Sequence, residues 1–185
     1  MGDDNLKELE VKILNIDLEE MENKLKELGA ELIAKESQVN TLIDSGENYI
    51  ENKLNSYLRI RESKSALKGT SKLTLTMKES IDREGVRENL ETNIDISDRE
   101  EMIYLLDKLG YQVKDIGKKE RTSYLLKGVR FDLDRWDKKT YPDPYMEIEV
   151  NNEDELENMI QILEIDKKNI STKSILELRK EKNLL

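Results

Sequence analysis

The sequence contains no cysteine and no histidine. The first absence excludes a disulfide framework, and the second removes the usual general base, every Ser-His relay and zinc sites of the histidine type. Catalysis in such a chain must draw on carboxylates, lysine, tyrosine or bound metal ions. Also missing is any Pro/Gly/Ser-rich linker or shift of composition, so a single domain over residues 1–185 is expected, with C-terminal helices over about 153–182 included. No apolar run follows Met1-Gly2-Asp3-Asp4, and no stretch approaches the roughly 20 apolar residues of a membrane span, which points to a cytoplasmic protein with no membrane partner. Basic residues are in deficit, 31 Lys and Arg against 41 Asp and Glu. The resulting net charge of -10 disfavours duplex nucleic acid or an anionic membrane held by overall electrostatics, but leaves room for a local basic site. Charged residues (39%) outnumber hydrophobic ones (36%), yet the apolar residues recur periodically, which is the pattern of a folding chain and not of a disordered one.

What is present is alternation. In Glu8-Leu9-Glu10-Val11-Lys12 charged and apolar residues exchange at the period of a strand, so Glu8, Glu10 and Lys12 share one face and Leu9, Val11 and Ile13 the other. Charged faces of the same kind recur at Arg59/Arg61, Arg87/Glu91, Lys119/Arg121, Asp132/Asp134 and Glu147/Glu149. One such strand is a solvated edge; six point to a charged cavity. Strands are predicted over residues 31–44, 56–63, 72–78, 86–96, 111–126, 129–136 and 145–150, with a polar connection over 45–55 and turns at 81–85 and at Lys127-Gly128. Helices are predicted from Asp17, from Ser97 with Glu100 as its capping partner, and over about 153–164 and 172–182. An internal echo supports this reading. Glu10 precedes Met21 by eleven positions, as Glu91 precedes Met102, and each helix reaches Leu-Gly eight residues after its Met. Glu149 to Met159, with Asn152 as a possible cap before Glu155, is a looser third copy. Short strands with capped amphipathic helices on their apolar side predict an α+β fold, a barrel with helices packed outside and an interior reserved for charge.

Sorted by parity, the strands bring together seven basic residues (Lys12, Arg59, Arg61, Lys78, Arg87, Lys119, Arg121) and seven acidic ones (Glu8, Glu10, Glu91, Asp132, Asp134, Glu147, Glu149). So much interior charge must stay wet or be paired. A polyanion with divalent metals satisfies both halves, since Arg and Lys hold phosphate oxygens while carboxylates hold Mg²⁺ or Mn²⁺. The ordered set Glu8-x-Glu10-x-Lys12, Leu58-Arg59-Ile60-Arg61, Leu75-Thr76-Met77-Lys78, Lys119-x-Arg121, Asp134 and Pro144-Tyr145-Met146-Glu147-Ile148-Glu149 resembles the CYTH proteins, also called triphosphate tunnel metalloenzymes, over about residues 6–150. That family includes thiamine triphosphatases, inorganic and RNA triphosphatases and class IV adenylyl cyclases, and the resemblance implies a closed eight-stranded antiparallel β-barrel, the triphosphate tunnel, with amphipathic helices packed outside. The resemblance implies Glu8, Glu10, Glu147 and Glu149 as metal carboxylates, with Glu91 and Asp134 as further candidates. It implies Lys12, Arg59, Arg61, Lys78, Arg87, Lys119 and Arg121 as the triphosphate grip. The chain departs from the family pattern at Asn89, where a carboxylate often stands, and in the loop over 136–144.

These observations imply a triphosphatase dependent on Mg²⁺ or Mn²⁺, in which a metal-associated water attacks the terminal phosphorus of a small-molecule triphosphate. Lys12 is the candidate to assist proton transfer, provided that like-charged neighbours lower its pKa. A class IV adenylyl cyclase is the alternative enzyme, and a non-catalytic binder of triphosphate or polyphosphate the alternative of another class. The plainer readings are cross-strand ion pairing for the basic residues, an even choice between surface pair and site for Asp132, rim packing for Trp136 and Tyr145, and solvated helix ends for the last seven residues, RKEKNLL.

Overall fold

In the computed structural model, which describes residues 6–81 and 87–184 (side chains from residue 9, and again from 89), strands are interspersed with helices. The order is β1 (Leu6–Ile13), α1 (Leu18–Glu27), β2 (Glu31–Ser45), α2 (Tyr49–Leu54), β3 (Ser56–Ser65), β4 (Ser71–Ile81), β5 (Arg87–Asp95), α3 (Arg99–Lys108), β6 (Tyr111–Leu126), β7 (Val129–Trp136), β8 (Tyr145–Val150), α4 (Glu153–Ile162), a 3-10 turn (Lys167–Asn169), β9 (Ile170–Ser171) and α5 (Ile175–Glu181). The strands form one antiparallel sheet in the order β5-β4-β3-β2-β6-β7-β8-β1-β9. Pairing of β1 with β5, Leu6 opposite Glu91 through Glu10 opposite Arg87, closes eight of the strands into a ring. Closure matters here because it leaves no long edge and encloses the inward side chains. The two-residue β9 is an addition to the eight strands expected, paired with the end of β1.

The expected barrel with a polar interior follows from where the apolar residues go. Val11, Ile13, Phe131, Leu133, Met146, Ile148 and Val150 point outward and are buried under Leu18 and Leu25 of α1 and Leu156, Met159, Ile160 and Leu163 of α4. A second cluster sets Leu106, Met102 and Ile103 of α3 on Ile43, Ile60, Leu58 and Leu75. Each fully buried side chain of this kind contributes about 1.5–3 kcal/mol, so the core lies between barrel and helices and the lumen is left for charge.

The helix starts obey their caps. Asp17 accepts from the backbone N–H groups of Glu19 and Glu20, and Asn152 from that of Glu155. At α3 the cap is Asp98, which accepts from Glu101 N–H, one residue later than the Ser97 start expected; a carboxylate is an equally good cap and Ser97 lies outside it. The connection over 45–55 holds a short helix, α2, because Asp44 accepts from the N–H groups of Ile50 and Glu51 across six and seven residues, a link invisible to local pattern. The Lys127-Gly128 turn has both residues at positive φ, 51° and 85°, the geometry of a two-residue hairpin. The turn expected at 81–85 falls mostly outside the described residues.

Candidate active site

Because side chains alternate along each strand, the residues with the parity of Glu10 and Arg61 face the lumen. A cavity of about 450 Å³, within the usual size of a small-ligand site, is lined by Glu10, Lys12, Arg59, Arg61, Lys78, Glu91, Lys119, Arg121, Asp132, Glu147 and Glu149. Asp134 stands directly behind this lining, fully buried. The fold thus brings together every expected site residue except two: the side chains of Glu8 and Arg87 lie outside the described residues, although their strands place Glu8 opposite Asn89 and Arg87 opposite Glu10.

One wall is a dense ion-pair network. The Arg121 guanidinium donates from Nε to Asp134 Oδ1 at 2.7 Å and from its terminal nitrogens to Asp134 Oδ2, Asp132 Oδ2 and Glu147 Oε2, each at 2.5 Å. Lys119 donates to Asp134 Oδ2 at 2.8 Å and lies over the Trp136 ring at 5.1 Å. Lys12, 4% exposed, sits 3.2 Å from Glu147 and 3.7 Å from Glu10. Lys78 bridges Glu10 at 3.3 Å and Glu91 at 2.9 Å. Asn89, the departure noted in the sequence, is fully buried and donates Nδ2–H to Glu10 at 3.2 Å, which a carboxylate in its place could not do.

The electrostatic consequences follow from burial against pairing. Burial alone would raise the Glu147 carboxyl, but Lys12, then Arg121 and Lys119, hold it well below the usual range. Burial likewise opposes ionisation of Glu91 and Asp132; Lys78 and Arg59 lower the first, Arg121 and Arg130 the second. Burial disfavours the Arg121 charge too, yet Asp132, Asp134 and Glu147 raise its pKa. Lys119 goes the other way: burial, with Arg121 alongside, brings it down to about 8. The ion-pair partners Glu147 and Glu10 of Lys12 are carboxylates, whereas its expected role as proton carrier requires like charges beside it.

The opposite wall differs. Arg61 donates from Nε to Asn40 Oδ1 at 2.9 Å, and burial, then Arg59 and Arg121, lowers it to about 9. Arg59 lies against the Tyr57 ring, 5.4 Å from its centroid, and its buried Nε has no hydrogen-bond partner. Among the described residues neither arginine has a carboxylate within ion-pair distance.

Hard cations take carboxylate oxygens, and the register sets Glu10 opposite Glu149 and Lys12 opposite Glu147 on adjacent strands, so this face carries the right donor chemistry. Among the described residues no three acidic side chains converge as a cation cage. Both Asp134 oxygens are engaged by Lys119 and Arg121.

Alternation also carried residues that the sequence reading passed over. Arg130 shares the parity of Asp132 and Asp134 and donates to Asp132 at 2.9 Å. Glu36 and Asn40 line the lumen from β2, where irregular alternation hid them. Asp115 and Arg179 meet there from β6 and α5, and no local signal connects them. The last seven residues are therefore not simply a solvated end, since Arg179 is 8% exposed and lines the cavity. Trp136 and Tyr145 pack together as expected, indole N–H donating to the phenol oxygen at 2.8 Å, and both reach the cavity.

A family model for the CYTH domain matches residues 6–176. Among solved structures, a protein of Pyrococcus horikoshii OT3 superposes with a TM-score of 0.77 at 27% identity, covering 95% of this chain and 99% of that one. A second protein of the same organism gives 0.73 at 27% identity, over 92% and 98%. A candidate adenylyl cyclase from Hippeastrum, described as having a dominant triphosphatase activity, gives 0.70 at 17% identity over 97% of both chains, a likeness of fold. No curated protein matches the sequence at a significant level.

Proposed function

Since the chain belongs to the CYTH domain family, whose members bind small-molecule triphosphates and include triphosphatases and adenylyl cyclase-like enzymes, we propose that it hydrolyses a small-molecule triphosphate inside the charged barrel. The observation that carries this reading is the pair Arg59 and Arg61: lumen-facing cations without a carboxylate partner among the described residues, in a site where Glu10, Glu91, Asp132, Asp134 and Glu147 are all paired. A polyanion supplies the missing negative charge. Arg59, Arg61, Lys78, Lys119 and Arg121 then hold the phosphate oxygens by charge-assisted hydrogen bonds, fixing the chain and offsetting charge that develops on the leaving phosphate.

The family's triphosphate tunnel enzymes use divalent metals, and Glu10, Glu147 and Glu149, with Glu8, are the residues that would hold one here. When bound, Mg²⁺ or Mn²⁺ supplies electrophilic activation and a more acidic water. Lys12 and Lys78 are the natural counter-ions to those carboxylates in its absence, while Asp132 and Asp134 orient Arg121 and Lys119.

The test is a panel of inorganic triphosphate, thiamine triphosphate and ATP with Mg²⁺ or Mn²⁺, read for both phosphate and cyclic AMP. Phosphate release is expected. Cyclic AMP with pyrophosphate would replace the hydrolase by a cyclase, and binding without turnover would leave a triphosphate-binding protein.

A further inference from the structure

The helices α1, α3 and α4 each run 10 residues and lie on the outside of the barrel, yet their outward faces differ. Among the described residues, α1 and α4 expose no large apolar side chain within their spans, whereas α3 exposes Tyr104 (65%) and Leu105 (52%), with Leu109 (66%) at its C-cap. The fold does not ask for this. In the sequence echo that sets Glu10 and Met21 on Glu91 and Met102, the counterparts of Tyr104 and Leu105 are Asn23 and Lys24. The barrel wall beside α3 adds to the patch. Val113 lies opposite Ile43 and Ile94 opposite Leu75, both of which α3 covers, and Ile116 lies opposite Thr41, whose hydroxyl accepts from Arg99 of α3. Opposed residues share a face, so these three exposed side chains stand on the α3 side of the wall. Single exposed apolar residues mean little, but six on one side of the molecule mark a contact surface.

The order of charges along α3 says what covers it. At helical spacing Glu101, Tyr104, Leu105 and Lys108 (i, i+3, i+4, i+7) form one outward stripe, opposite the face of Met102, Ile103 and Leu106 that packs on the barrel. The stripe has an acid at its N-terminal end, a base at its C-terminal end and apolar residues between them. Turned end for end, it is its own complement. Antiparallel packing about a two-fold axis between positions 104 and 105 sets Glu101 against Lys108 of a second copy and Tyr104 against Leu105, with the same contacts in reverse, which is what an isologous interface requires. Lys108 already lies over the Tyr104 ring of its own chain at 5.0 Å, and Glu100, at the edge of the stripe, is paired with Arg99. The net charge of -10 and Asp107, on the same flank as Glu100, oppose the pairing. A helix of this length spans only about 15 Å, so the contact falls short of the roughly 800 Å² per partner of a standard interface, and the association is weak.

We propose that the outward face of α3, with the flanking strand residues, docks a second copy of this chain antiparallel across a two-fold axis, giving a reversible dimer with a Kd of about 1–100 μM. None of the residues lining the tunnel takes part, so the dimer stands apart from the triphosphatase reading.

Sedimentation equilibrium of the full chain over about 1–300 μM, at about 0.15 M ionic strength, reads the mass directly against 21.7 kDa for one copy. The wild type is expected to move toward twice that mass as concentration rises. Leu105→Glu puts a carboxylate from each copy beside the axis and should weaken association at least about 30-fold. Lys108→Glu sets like charges together at both ends of the stripe and should weaken it about tenfold, and adding Glu101→Lys re-forms both pairs in reversed order and should restore most of that loss. Because the chain has no cysteine, Leu105→Cys supplies a lone thiol near the axis, and mild oxidation should link two copies there at least about tenfold faster than Asn23→Cys on α1. Circular dichroism checks that each variant is folded. A wild type that stays monomeric throughout, with Leu105→Cys linking no faster than Asn23→Cys, overturns the proposal and leaves the face to a different protein. A dimer that survives Leu105→Glu lies on another surface and overturns it too. Failure of Glu101→Lys to rescue Lys108→Glu overturns the antiparallel register.

Discussion

The two walls of the tunnel are built from the same residue types and behave oppositely. On the wall of β6, β7, β8 and β1, each described cation among Lys12, Lys119 and Arg121 meets at least one carboxylate within 3.2 Å. On the wall of β2 and β3, Arg59 and Arg61 meet an aromatic ring and an amide instead. A paired wall is settled without ligand, its geometry fixed by its own bonds. On the β2 and β3 wall Glu91 acts on Arg59 and Arg61 only from beyond ion-pair distance, so their charge is compensated less closely and an anion is expected to gain most there. On the proposed function the first wall is expected to supply pre-organisation and the second affinity.

Removing charge from the paired wall should have the largest effect. Glu147→Gln with Glu149→Gln keeps the shape of β8 and removes two anions from the face that carries cation donors. Turnover should fall by about 100-fold or more while circular dichroism still reports a folded barrel. Retained turnover would detach the acidic face from the chemistry. The converse change makes the unpaired wall resemble the paired one. Asn40→Asp places a carboxylate 2.9 Å from the Arg61 guanidinium, converting a neutral acceptor to a charged one. The melting temperature should rise by about 3–6 °C, and triphosphate should bind about tenfold more weakly. A fall in both would mean that the β3 arginines are not short of negative charge.

The smallest effect is a slope against pH. The Lys119 ammonium titrates at about 8 in the folded protein, against 10.5 ordinarily, because of burial and then Arg121. Between those two values the unfolded chain holds the proton that the folded chain has released. Stability therefore rises with pH from about 8 toward 10, by at most about 1.4 kcal/mol per pH unit for this one proton. Triphosphate binding, proposed to use the ammonium, is expected to weaken over the same interval. Urea midpoints between pH 7.5 and 9.5 should climb in the wild type and flatten in Lys119→Met; parallel curves would exclude the depressed lysine.

Much of the site was legible before any coordinates. Alternation at period two placed Lys12, Arg59, Arg61, Lys78, Lys119, Arg121, Glu10, Glu147 and Glu149 on one face because a strand offers only two faces. Arg130 obeys the same rule, two residues before Asp132 on the lumen face of β7. Glu36 and Asn40 were obscured by the long irregular β2, whose register shifts at Leu32/Ala34 and Leu42/Ile43 break simple parity. α2 escaped because its cap, Asp44, lies outside the segment it organises.

The sequence by itself determined the eight barrel strands, the helices other than α2, the charged face of the regularly alternating strands and the family, since these depend on residue type and on spacing within a few positions. Only the tertiary structure decided how the charges divide. Asp132, Asp134 and Glu147 converge on Arg121 through cross-strand neighbours and the planar reach of one guanidinium, while the register of β2 puts Asn40, not a carboxylate, opposite Arg61. It also brought Arg179 to Asp115 across 64 residues, a contact that depends on where α5 docks and not on any period in the chain.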